Sequence, residues 1–111
     1  MKLVVVVLSE DSRLQALLQG LVENGIKGAT IISSQGLARA LEDAEDYSFL
    51  GSIKAFLDPQ QYGSTVFSVI QDNQVELVSK AIKQTVGDLS QPDMGIMFTI
   101  PVDYVEGIRF D

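Results

Sequence analysis

Leu3-Val-Val-Val-Val-Leu8 is an unbroken aliphatic run at the start of the chain. Successive side chains of a strand point to opposite faces, so apolar residues at both parities describe a strand shielded from water on both sides, hence a central one. Glu10-Asp11 follows almost at once and no small-residue cleavage site appears, so the run reads as a buried strand rather than a secretory leader. No stretch has the length of a membrane-crossing helix.

Outward from this run the pattern changes period. Leu14, Leu17, Leu18, Leu21 and Val22 follow the spacing of one helical stripe, predicting a helix over residues 9–24. Ser9, Asp11 and Ser12 are its candidate N-caps and Gly25 its stop. Residues 26–34, centred on Ala29-Thr-Ile-Ile32, predict a second strand, and residues 64–71 a third with Thr65, Val66, Phe67, Val69 and Ile70. Asp72 or Asn73 caps a second helix over residues 74–86, with Val75, Val78, Ala81, Ile82 and Thr85 on its buried face and Gly87 at its end. A turn-rich loop with Pro92 leads to a fourth strand over residues 96–102, interrupted by Pro101. Residues 37–63 are too long for a hairpin turn, and a connection of that length inside a compact domain is commonly functional or disordered. The order is β-α-β-long loop-β-α-β. It predicts an α+β, ferredoxin-like sandwich with both helices on one face of the sheet, which leaves the other face to a partner subunit.

Composition narrows the chemistry. The 111 residues fit one domain, residues 1–111, and 46% hydrophobic residues are enough for a packed core. There is no Cys and no His. Thiolate and imidazole metal sites, disulfides, Cys nucleophiles and His-dependent triads are therefore excluded. The net charge is −7 and the eight Lys and Arg are scattered, which disfavours nucleic acid as a partner. Asp88, Asp93, Asp103 and Glu106 form no recognisable acid pair or metal set, and Ser33-Ser34 has no partner base. The chain reads as a cytoplasmic protein that is not an enzyme, with no metal site and no membrane insertion.

The ordered details carry a resemblance. Lys2-Leu-Val-Val-Val-Val, Gly28-Ala-Thr-Ile, Gly36-Leu-Ala-Arg39, Val86-Gly87 and Gly95-Ile-Met-Phe-Thr-Ile-Pro-Val-Asp-Tyr-Val-Glu-Gly-Ile-Arg109 together resemble the PII-like signalling proteins over nearly the whole chain. The resemblance implies a homotrimer whose sheets face the threefold axis. It also implies a nucleotide, here an adenine nucleotide, bound in clefts between subunits. Residues 37–63 would then correspond to the family's T-loop, which docks onto a transporter or an enzyme. Phe49, Leu50, Ile53, Phe56 and Leu57 would serve that contact, or pack the loop against its own sheet.

Carried over residue by residue, the resemblance proposes Thr30, Gly36, Arg39, Gly87, Asp88, Gly95 and Arg109 as ligand-binding residues. Each has a plainer reading. Arg39 would pair with Glu42 or Asp43, Arg109 would belong to a solvated tail or an intersubunit ion pair, and Thr30 would be an ordinary strand residue. Gly87 would be a helix stop and Gly95 a turn glycine. The chain also departs from the family. Ile96 stands where the family's phosphate-loop Lys is expected, and the preceding loop carries Asp88 and Asp93. Ala38 and Ala40 replace a Gly and a Gln of the Gly-x-Gly-Arg-Gln stretch, and neither Tyr47 nor Tyr62 matches the uridylylation motif. The expected function is a ligand-sensing regulator that signals through its long loop. The alternative is a trimeric adaptor that has lost the phosphate-binding loop and takes another metabolite, or none.

Overall fold

A computed structural model of the chain describes residues 1–9, 11–37, 62–92 and 94–110; of Asp11 and Tyr62 only the backbone is described. Four strands and two α-helices follow in the predicted order: β1 (Lys2–Leu8), α1 (Leu14–Glu23), β2 (Thr30–Gln35), β3 (Tyr62–Ile70), α2 (Val75–Thr85) and β4 (Gly95–Pro101). The sheet order is β2-β3-β1-β4, and every neighbouring pair is antiparallel. This is the ferredoxin-like arrangement expected, with residues 36–61 as the long connection between β2 and β3. The two strands with apolar residues at both parities, β1 and β3, occupy the centre.

Register decides which residues meet the helices. Val6 lies opposite Val66 on one side and Met97 on the other. Val4, Val6 and Leu8 of β1 therefore share a face with Val66 and Ile70 of β3, and all five are buried. Leu17 and Leu21 of α1 and Val78, Ala81 and Ile82 of α2 close over them in one cluster. The helices touch closely: a Cβ on Gly20 would stand 2.9 Å from Cγ2 of Thr85. On the opposite face, Val5 and Val7 are paired with Phe98 and Ile96. There Ile32, Ile96, Phe98 and Ile100 keep 48%, 52%, 43% and 46% of their surface in water.

Local chemistry shifts several predicted boundaries. Residues Asp11–Arg13 form a 3-10 turn, and α1 begins after Arg13 with no side-chain cap, so none of Ser9, Asp11 and Ser12 serves as the N-cap. Val22 is not on the buried stripe; it is 70% exposed, and Gly20 is buried against α2 instead. The reason is the tight helix crossing, which draws the apolar stripe toward the residue with no side chain. Gly25, at φ 86°, closes α1 as expected, with its N–H donating to Val22 and that of Ile26 donating to Leu21. That closure takes residues 26–29 out of the second strand, which begins at Thr30. A 3-10 turn, Asp72–Gln74, leads into the second helix and is capped by Gln71 rather than Asp72 or Asn73: Gln71 and Gln74 exchange side-chain and backbone hydrogen bonds. Asp72 pairs instead with the Met1 ammonium at 3.0 Å. Pro101 is the last residue of β4 rather than a break inside it.

Candidate functional site

The described candidate residues fall into two groups, one at the C-terminal end of β1 and one beside its N-terminal half. At its C-terminal end, Leu8 is paired with Ser64 of β3 and Gly95 of β4, and β2 runs past this end to Gly36. Gly95 has φ 132°, and a side chain there would run into the Val7 carbonyl, so the position is closed to other residues. Gly87, at φ 123°, sits beside it through Met94, whose Cε lies 3.0 Å from where a Gly87 Cβ would be. Gly36, Gly87, Asp88 and Gly95 are thus gathered at one rim.

Asp88 is already engaged at that rim. Its Oδ1 accepts the Ser90 N–H at 2.9 Å and the Ser90 hydroxyl at 2.7 Å. The Ser90 hydroxyl, then its backbone N–H and the nearby Lys83 charge, hold the Asp88 carboxyl below the ordinary carboxylate value. The loop is therefore closed on its own anion. Ile96, the residue in the family's Lys position, adds an exposed apolar side chain to the open sheet face.

Beside the N-terminal half of β1, Thr30, which is level with Val5, and Arg109 line a common cavity of about 510 Å³. Its other walls include Lys27, Phe67, Ile108 and Phe110. The hydroxyl of buried Ser68 donates to the Gly28 carbonyl and ties the segment before β2 to the sheet. The polypeptide after β4 turns at Gly107, φ 92°, and lays residues 107–110 along the opening. A cavity of this size, with apolar walls and a few polar groups, is of small-molecule dimensions. Arg109 makes no ion pair among the described residues.

Thr30 is level with Val5, three residues from Leu8, so it stands roughly 10 Å from the rim along the strand at about 3.4 Å per residue. One chain therefore places Thr30 and Arg109 on one cavity, while Gly36 and Gly95 share an end of the sheet but lie at its opposite edge strands, roughly 14 Å apart at about 4.8 Å per strand. Arg39 lies outside the described residues, as do Asp93 and most of the expected docking loop. Sequence reasoning did not single out Lys27, Phe67, Ile108 or Phe110. The first follows Gly25-Ile26, a helix stop that has no periodic signal, and the others meet it only through the fold.

Among the described residues no three acidic side chains come close enough to hold a metal ion. Glu106 accepts the hydroxyl proton of Tyr104 on the surface, and that bond raises the Tyr104 pKa. No described helix is long and apolar enough to cross a membrane. No curated protein matches the chain. The family model for the nitrogen regulatory protein P-II matches residues 1–111. The chain belongs to the nitrogen regulatory protein P-II family, a family of small regulatory signalling proteins.

Proposed function

We propose that this chain is a cytoplasmic, ligand-sensing regulator that works as a homotrimer and binds its ligand between subunits. The observation that carries this reading is the uncovered apolar sheet face, beside which the candidate residues lie in two separate groups. A neighbouring copy packed on that face could set its Gly36–Gly87–Gly95 rim against the cavity of Thr30 and Arg109. The uncovered apolar face of Ile32, Ile96, Phe98 and Ile100 supports the same assembly, since burial of such a face is favourable at about 25 cal/mol per Å². Ligand occupancy would be transmitted to a protein partner, a transporter or an enzyme, through residues 37–63, which begin at the rim itself. For that to work the ligand must contact one loop conformation better than another.

The test is twofold. Light scattering on the purified chain gives three times 12.1 kDa if the assembly is right, and 12.1 kDa if it is wrong. A mixing experiment then asks whether the site is shared. Arg109→Ala and Gly36→Trp chains, each unable to bind alone, regain a fraction of the sites when co-assembled, because some clefts receive both intact halves. No recovery on mixing rejects a shared site. The second reading, an adaptor without a nucleotide, draws on Ile96 and on the self-closed Asp88 turn; it requires a trimer that is not stabilised by any nucleotide.

A further inference from the structure

We propose that residues 107–110 are a strap that closes the cavity by pivoting at Gly107, and that a neighbouring copy clamps the strap shut when protomers assemble. This rests on the assembly proposed above and adds a moving part to it.

Register carries the first step. Leu3 and Val5 face away from the helices and are paired with Val69 and Phe67 of β3 on one side and with Ile100 and Phe98 of β4 on the other. Thr30 is level with Phe67 and belongs to the same face. Leu3, Phe67, Val69 and Thr30 line the cavity together with Ile108 and Phe110. The cavity is thus walled by the open sheet face and by the last described residues of the chain. Phe98 and Ile100 continue the same rows of side chains, so a copy packed on that face meets the segment as well as the sheet.

The segment is fixed at its root and loosely held beyond it. The Val102 N–H donates to the Met1 carbonyl at 3.2 Å, which extends the pairing of β4 with β1. Among the described residues, none from 103 to 110 makes a backbone hydrogen bond outside a regular element, and the contact of Tyr104 with Glu106 stays within the segment. Ile108 and Phe110 keep 41% and 37% of their surface exposed, so their hold on the cavity is partial. Few ladder bonds and half-exposed apolar contacts are the marks of a part that opens at low cost. Gly107 supplies the pivot. Its φ of 92° lies in the left-handed region, and a Cβ there would meet nothing within 4 Å. Glycine is therefore needed for its backbone conformation rather than for room. Arg109 lies between the two apolar anchors, so lifting the strap takes one of the lining cations away with the roof. A copy resting on Phe98 and Ile100 would cover the outer sides of Ile108 and Phe110, and burial of that remaining surface favours the closed strap. Closure and assembly then reinforce one another.

The chain has no Trp, so Phe110→Trp and, separately, Ile108→Trp each place a single fluorescent reporter in the full-length protein. Acrylamide quenching is read with light scattering and circular dichroism on the same sample. In the trimer each reporter is expected to be quenched severalfold less than free N-acetyltryptophanamide. Gly107→Val in either background should raise quenching close to the free level with the circular dichroism spectrum retained, because the side chain meets no neighbour and acts through the backbone alone. Phe98→Asp, which removes the clamp, should raise it part of the way. Both reporters as accessible in the trimer as the free amide, or both still shielded after Gly107→Val, would overturn the strap. Equal shielding in the trimer and in Phe98→Asp would overturn the clamp. A parent chain that scatters as a monomer overturns the assembly and the clamp with it, and the response to Gly107→Val then decides the strap by itself.

Discussion

The same strands present two faces that differ in what covers them. On one, Val4, Val6, Leu8, Val66 and Ile70 lie beneath two helices and are lost from water. On the other, Phe98, Ile96, Ile100 and Ile32 are about as apolar yet keep close to half of their surface exposed. Alternation along a strand supplies both sets from consecutive residues, so the contrast does not come from composition. It comes from the crossovers, which deliver both helices to one side. The covered face holds the protomer together, and the open face is available to hold protomers to each other.

Substitutions on the two faces should therefore separate folding from assembly. Leu17 is completely buried beneath the helix layer, and Leu17→Ala is expected to cost about 2–5 kcal/mol, read as a lower urea midpoint at every protein concentration. Phe98→Asp is the counterpart on the open face. It should shift the protomer's own stability by no more than about 0.5 kcal/mol. Its mass should nevertheless fall to 12.1 kDa with the circular dichroism spectrum retained. If Phe98→Asp unfolds the chain, or leaves a trimer, the division of labour between the faces is wrong.

Two smaller effects sharpen the contrast at its margins. Ser68 is a polar residue on the covered face, and its hydroxyl is bound to the Gly28 carbonyl. Ser68→Ala should lower stability by about 0.5–1.5 kcal/mol and loosen the cavity wall, seen as faster amide exchange in residues 26–30. The smallest effect belongs to the exposed pair of the Met1 ammonium and Asp72. The Asp72 carboxyl is held below its ordinary value of 3.8, first by the hydrogen bond from that ammonium and then by its charge. A depressed folded-state pKa contributes stability above the unfolded value that is lost as the pH falls through the folded one. Asp72→Asn should thus lower thermal stability slightly near neutrality, with the difference from the parent chain fading as the pH falls below about 3.8. An unaltered acid limb would show that the pair contributes nothing.

How much of this was legible in the sequence depends on distance along the chain. The periods of β1 and α2 are local, and Val78, Ala81 and Ile82 are buried as their spacing predicts. Where an element answered to a neighbour, the local signal misled: Val22 lost its place on the buried stripe to Gly20 because α2 comes so close, and Thr30 became the first residue of β2 because the α1 stop consumed what precedes it. The candidate site is less local still. Lys27, Phe67 and Arg109 are far apart in sequence and meet through sheet pairing and the turn at Gly107. No spacing rule links them. The family resemblance pointed to Thr30 and Arg109, but only the fold shows that these two line one cavity while Gly95 lies at the C-terminal end of β1.

The sheet order has a consequence for how the chain is made. Val6 of the first strand takes Val66 and Met97 as its two neighbours. On a ribosome the strand destined for the centre emerges before both of its neighbours, so the nascent chain carries an unpaired aliphatic segment until β3 and β4 follow. Such a segment pairs readily with any other exposed strand. Pairings this remote in sequence also form slowly once the chain is free. Lys2 at its start and Glu10-Asp11 at its end put charges on both flanks of the run, where they discourage strand-to-strand association while it waits.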